Sequence, residues 1–178
     1  VWVVFSLGNS SDAFLILRAR DLGLGLVLVV AAYALYNVVY SSLSWPLGSL
    51  SDRVPRRLLI GSGLAVFVVV YLGFALTESS WAVWPLFLVY GLYIAATEGV
   101  ARAWVADHLR DRETVGTAYG IFFAATAGAA LVASIVAGLL WSRVSPSAPF
   151  YYGAATAAAA LALLGVTSKI DRGASRGS

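Results

Sequence analysis

Apolar runs of about twenty residues recur along the whole 178-residue chain, separated by short stretches that gather its Arg, Asp, Pro and Gly. A hydrocarbon layer of about 30 Å is crossed by about 20 helical residues, so each run is long enough to span a bilayer. Six spans are predicted: Val1 to Leu17, Leu24 to Leu47, Leu58 to Leu76, Ala82 to Val105, Thr114 to Trp141 and Phe150 to Ser168. The expected fold is an all-α membrane protein, one bundle over residues 1–170 followed by a polar tail, 171–178. That tail is either a cytoplasmic extension or an appended segment. Hydrophobic residues make up 60% of the chain, charged ones 12%, and the mean hydropathy is +0.83, values foreign to soluble domains. The sequence begins inside an apolar run and contains no Met, which suggests a first helix cut short or a fragment of a longer protein.

A net charge of +3 and a pI of about 9.4 would suggest nucleic acid for a soluble domain. Here the basic residues sit at span ends, where they set topology, so the expected surroundings are a lipid bilayer and not DNA or RNA. With alternating connections, one side holds Arg53, Arg56, Arg57, Arg110, Arg112, Lys169, Arg172 and Arg176, and the other holds Arg18, Arg20 and Arg143. Eight against three makes the former side cytoplasmic, together with the carboxy terminus, in what we expect to be a bacterial inner membrane. Trp45 and Trp104 near the inner ends, with Trp81, Trp84 and Trp141 near the outer ones, agree with an aromatic belt. There is no cysteine and His108 stands alone, so neither a disulfide framework, a metal site nor a cofactor is expected.

The spans differ chemically with a period of three. The third and sixth are almost wholly apolar, whereas Asn9, Asp12, Tyr33, Tyr36, Asn37, Tyr40, Glu98 and Arg102 fall within or near the hydrocarbon of the first, second and fourth. Polar groups in lipid are costly and should face a cavity or a partner helix. A three-plus-three inverted repeat, with the third helix of each triplet at the periphery, accounts for the pattern.

Several faces follow from helical spacing. In the second span Tyr33, Tyr36, Asn37, Tyr40, Ser41 and Ser44 form one stripe, read as the wall of a solute cavity, the alternative being a hydrogen-bonded helix seam. Tyr90, Tyr93 and Thr97 make a similar stripe on the fourth span. Asn9 and Asp12 share a face if the first helix is regular, and an intramembrane carboxylate is by default a proton or cation site. The alternative pairs Asp12 with Arg18 or Arg20 near the outer surface. In the fifth span Gly116, Gly120, Ala124 and Gly128 recur every fourth residue, which predicts close helix packing. Glu98 and Arg102, spaced i, i+4, lie roughly 13 Å and 7 Å inward of Asp107 at 1.5 Å per residue. Their natural partners are Asp52, Arg53, Arg56 and Arg57 in the connection GSLSDRVPRR, Gly48 to Arg57, and together these charges read as a cytoplasmic gate, with static pairing as the alternative.

That connection resembles the loop motif of the major facilitator superfamily, G-x-L-x-D-R-x-G-R-[RK], with Pro55 in place of the usual second Gly. Glu98, Arg102, Ala106 and Asp107 followed by ETVGTAYG, Glu113 to Gly120, are similar to the same family's fourth-helix ending, with Val115 where an Arg is common. The stretches NSSDAF and TEGVARAWVAD look most like the carboxy-terminal half, helices seven to twelve. The resemblance implies that Asp52, Arg53, Arg56, Arg57, Glu98, Arg102 and Asp107 stabilise an outward-open state, and that Asn9, Asp12, Tyr90, Tyr93 and Thr97 line a substrate path. The Gly-Pro signature of antiporters is absent from the fifth helix. The family has twelve helices, so a second six-helix bundle is implied, either another copy in a homodimer or a missing half. The expected function is secondary active transport of a small solute by alternating access, with proton coupling through Asp12, as symport or efflux. A non-transporting scaffold or partner subunit is the alternative, and no Ser-His pair, paired acids or metal cluster supports an intramembrane enzyme.

Overall fold

A computed structural model describes residues 1–51, 54–107 and 115–174, without the side chains at 50–51, 56, 98–107, 115 and 168–174. Asp52, Arg53 and His108, and the side chains of Arg56, Glu98, Arg102 and Asp107, therefore lie outside the described residues. The helices are α1 (Trp2–Ser6), α2 (Ala13–Asp21), α3 (Leu26–Ser51), α4 (Arg56–Leu76), α5 (Val83–Asp107), α6 (Val115–Arg143) and α7 (Ala148–Ala174), with a 3-10 turn at Ser80–Ala82. Among the described residues there is no strand, and five helices, α3 to α7, are long and apolar enough to cross a bilayer.

The packing repeats itself. In the first triplet α1 and α2 together take the place of the lead helix, followed by α3 and α4; the second triplet is α5, α6 and α7. α3 packs on α5 and α4 packs on α5, while α6 packs on α1 and α7 packs on α1. Exchanging the two triplets converts each pair into its counterpart, and the pair α4 with α7 maps onto itself. This is the contact pattern of an inverted repeat.

The predicted continuous first helix, Val1 to Leu17, is instead two short helices joined by residues 7–12. Gly8, Asn9, Ser10, Ser11 and Asp12 are all poor helix formers, and the last four can hydrogen-bond locally in competition with the helix ladder. The Ser11 hydroxyl does so, accepting from the Ala13 N–H at 3.3 Å. Tertiary contact completes the break, because Gly8 presses its backbone onto α7. A Cβ there would collide with Thr156 and lie 3.1 Å from the Gly153 Cα, while a Cβ on Gly153 would lie 2.9 Å from the Gly8 carbonyl oxygen. α2 then ends in a Schellman turn, with Leu24 N–H on the Ala19 carbonyl, Gly23 N–H on that of Arg20, and Gly23 at φ +92°.

Two further expectations are corrected. Within this bundle α4, expected at the periphery, is the most buried of the long helices, at 44% of its apolar window against 28% for its counterpart α7. The uniformly apolar surface of α4 fits a helix enclosed by protein, with Leu64, Phe67, Val70, Tyr71 and Phe74 at the centre of the core. Nor does the predicted glycine stripe of α6 pack within the chain. Gly116, Gly120 and Gly128 face open space, and a different register, Ala129, Ala133 and Ala137, is buried. α6 is rich in small residues on several sides, so spacing alone leaves the packed side undetermined.

Candidate functional site: a carboxylate at a broken helix

Asp12 begins α2, its carbonyl accepting from Leu15 N–H at 3.0 Å and its side chain free of any capping bond. The carboxylate turns instead toward two other helices. Tyr90 of α5 donates its hydroxyl to Oδ1 at 2.7 Å, and Tyr36 of α3 donates to Oδ2 at 3.5 Å. Both rings are buried and tilted against one another, 5.3 Å between centroids. Behind them Tyr93 sits 5.6 Å from Tyr90 and 5.2 Å from Phe67, so the hydroxyls that hold Asp12 are backed by a packed aromatic layer. Gly91 allows this approach, since a Cβ there would lie 2.8 Å from the Tyr36 carbonyl oxygen.

Asn9, Ser10, Ser11 and Asp12 line a single cavity of about 420 Å³ with Tyr36, Tyr90 and the α6 residues Ala130, Leu131 and Ser134. Four consecutive residues of a regular helix would point around most of its circumference. The break lets all four border the same space, although Ser10 is buried. Ser134 fixes one side of it, because its hydroxyl accepts from the Ser11 N–H at 3.2 Å and donates to the Ala130 carbonyl at 3.0 Å. Asn9 and Ile94 also border a second cavity of about 260 Å³, whose walls are Trp2, Phe5, Phe122 and Phe123 with Tyr93 and Thr97.

Thus Asn9, Asp12, Tyr36, Tyr90, Tyr93 and Thr97 come together around two adjoining cavities. The rest of the α3 stripe does not line either. The Tyr33 ring packs on Phe87 and Tyr36, the Asn37 amide donates back to the Tyr33 carbonyl at 2.8 Å, and Tyr40 stacks on Tyr36. Of these, Tyr33 meets another helix, while the Asn37 amide bonds and the Tyr40 ring stacks within α3. Arg57, at the start of α4, is exposed and borders a separate cavity of about 340 Å³ with Trp2, Ile60, Phe122 and Leu164.

Arg18 does not pair with Asp12. It is 7% exposed and binds Asp21, while Nε and Nη2 donate at 3.0 Å each to the carbonyls of Phe74 and Thr77 at the end of α4. A cation on those unpaired carbonyls satisfies the helix end and fastens α2 to α4. Sequence reasoning missed this clamp, the place of Ser134, and the α6 aromatics. Ser134 is one of several hydroxyls on α6, beside Thr117, Tyr119, Thr126 and Ser142, and spacing alone did not single it out.

The sequence profile of the Major Facilitator Superfamily matches residues 3–177. An uncharacterised MFS-type transporter of Methanocaldococcus jannaschii is 36% identical over 160 residues, covering 86% of this chain and 40% of that protein. The class C tetracycline resistance protein of Escherichia coli is 34% identical over 122 residues, covering 68% of this chain and 29% of that protein. The chain thus spans less than half the length of either relative. With a family match over nearly its whole length and the packing of an inverted repeat, the chain is an integral membrane protein that belongs to the major facilitator superfamily.

Proposed function

We propose that this chain forms one wall of a secondary active transporter, moving a small solute by alternating access against a second six-helix bundle. The observation that carries the reading is Asp12, a carboxylate in the interrupted first span that Tyr36 and Tyr90 hold against a cavity. Ionisable groups in a membrane interior are retained for ion or substrate paths, and broken helices are where transporters place such sites. The groups around Asp12 are Tyr36 of α3, Tyr90 of α5 and the Ser134 side of α6, none of them basic. Asp12 is the proton acceptor of the cycle, charged when its cavity faces one side and protonated for the return.

The second bundle is another copy of this chain or another segment of the same protein. Exposed Gly116, Gly120 and Gly128 on α6 give such a partner a surface for close approach. Asp52, Arg53, Arg56, Arg57, Glu98, Arg102 and Asp107 form the inner-leaflet latch that ties helix ends together in the outward-open state, with the Gly48 to Arg57 connection on the cytoplasmic side. Gradient-driven uptake into proteoliposomes tests the reading. Asp12→Asn should lose gradient dependence, and unchanged gradient-driven uptake would remove Asp12 from the mechanism. Mass measurement in mild detergent tests the partner, and a transport-active solitary six-helix monomer would contradict it.

A further inference from the structure

Resting on that transport reading, we propose that the solute is an organic cation with an aromatic body, its charge at Asp12 and its ring system in the adjoining cavity. The two spaces, of about 420 and 260 Å³, adjoin, with Asn9 and Ile94 on the walls of both. Each compares with the small end of ligand pockets, and together they suit a compact drug-sized molecule.

Charge decides the first part. Among the described residues Asp12 is the only charged side chain on either wall. An anion would meet a carboxylate with no cation on the described walls of either space, in a setting where charge is poorly screened. The second part rests on the aromatic walls, some of whose polar neighbours are already engaged. Tyr36 and Tyr90 hydroxyls donate to Asp12, while Ser134, Thr126 and Thr97 donate to carbonyls of their own helices. A carboxylate with two of its roughly four acceptor positions filled still has room for a cationic head.

The rest of the site suits a ring. Trp2 and Phe5 meet edge to face at 5.9 Å, and Phe122 and Phe123 at 5.5 Å on α6, presenting aromatic surface from both sides of the second cavity. Aromatic faces bind rings by offset or edge contacts and attract cations through their quadrupole.

Isothermal titration of the protein, as its gene encodes it, with four probes tests the inference. Benzyltrimethylammonium should bind at least about tenfold more tightly than benzoate or benzyl alcohol, a difference of about 1.4 kcal/mol. Tetramethylammonium, a cation without a ring, should bind more weakly than benzyltrimethylammonium. Asp12→Asn should weaken benzyltrimethylammonium about tenfold or more. Ser134→Lys, which sets an ammonium opposite Asp12, should do the same while thermal unfolding shows the fold intact. Trp2→Ala should weaken benzyltrimethylammonium several-fold and leave tetramethylammonium unchanged. Benzoate or benzyl alcohol binding as tightly as the cation, or cation binding indifferent to both charge variants, would overturn the inference. If the cation binds as stated but no gradient drives its uptake, the transport reading fails and the site assignment stands. If an uncharged or anionic solute is driven through a charge-indifferent site, the reverse holds.

Discussion

The two triplets of the bundle open with helices that do the same job in opposite ways. α5 runs unbroken from Val83 to Asp107 and presents Tyr90, Tyr93, Ile94 and Thr97 at helical spacing, one residue per turn or so along a stripe. Its counterpart is cut into α1 and α2 and presents Asn9 to Asp12 in direct succession. The difference lies in where the polar groups sit. On α5 they are tyrosine hydroxyls at the tips of large apolar rings, plus Thr97, whose hydroxyl returns to the Tyr93 carbonyl at 2.8 Å. Neither disturbs the helix ladder. In the first span the polar groups are short side chains next to the backbone, competing with it for hydrogen bonds. A stripe gives a smooth aromatic wall; a break concentrates a carboxylate, an amide and two hydroxyls at one spot.

Both lead helices depend on a glycine, and that is where the contrast breaks most easily. Gly8→Leu drives a side chain into Thr156 and the Gly153 backbone, so it should cost about 3 kcal/mol of stability and displace the break, seen as a large fall in unfolding temperature. Arg18→Met removes a buried cation from the Phe74 and Thr77 carbonyls and releases α2 from α4, at a cost of about 2 kcal/mol with α5 untouched. Gly91→Ala, the corresponding insult to α5, pushes a methyl toward the Tyr36 carbonyl and Val39 and should cost about 1 kcal/mol. It should also loosen the Tyr36 bond to Asp12, weakening solute binding. Asn37→Ala should change stability by no more than about 0.5 kcal/mol and leave binding intact, because the amide serves only its own helix. A loss of binding in Asn37→Ala would mean that the α3 stripe is a cavity wall after all.

The membrane class and all-helical bundle were legible because hydropathy over twenty residues averages out local detail. The finer placement was not, and each gap has a physical cause. The run NSSD was visibly polar, yet projecting it on a helix wheel presupposed the regularity that those same residues abolish. Tyrosines at helical spacing occur equally on seams and on cavity walls, and only packing separates Tyr36, on the cavity, from Tyr33, on Phe87. Arg18 read as a topological charge at a span end, since nothing in the sequence tells that its long side chain reaches the end of α4. Asp12, Tyr90, Tyr93 and Thr97 were identifiable as candidates; that Asp12 and Tyr90 touch was not, because a sequence separation of 78 residues carries no record of the pairing.

The central claim is that the first span is unwound where it meets the cavity, so that neighbouring residues share one aqueous face. The chain has no cysteine, which makes single substitutions readable one at a time. Labelling Asn9→Cys, Ser10→Cys, Ser11→Cys and Asp12→Cys with a membrane-impermeant thiol reagent, beside Tyr90→Cys to Ile94→Cys on α5, compares the two lead helices directly. The structure predicts labelling at Asn9→Cys, Ser11→Cys and Asp12→Cys, least at the buried Ser10→Cys, and a three-to-four-residue period along α5. The same three-to-four-residue period across residues 9–12 would contradict it and restore a continuous first helix.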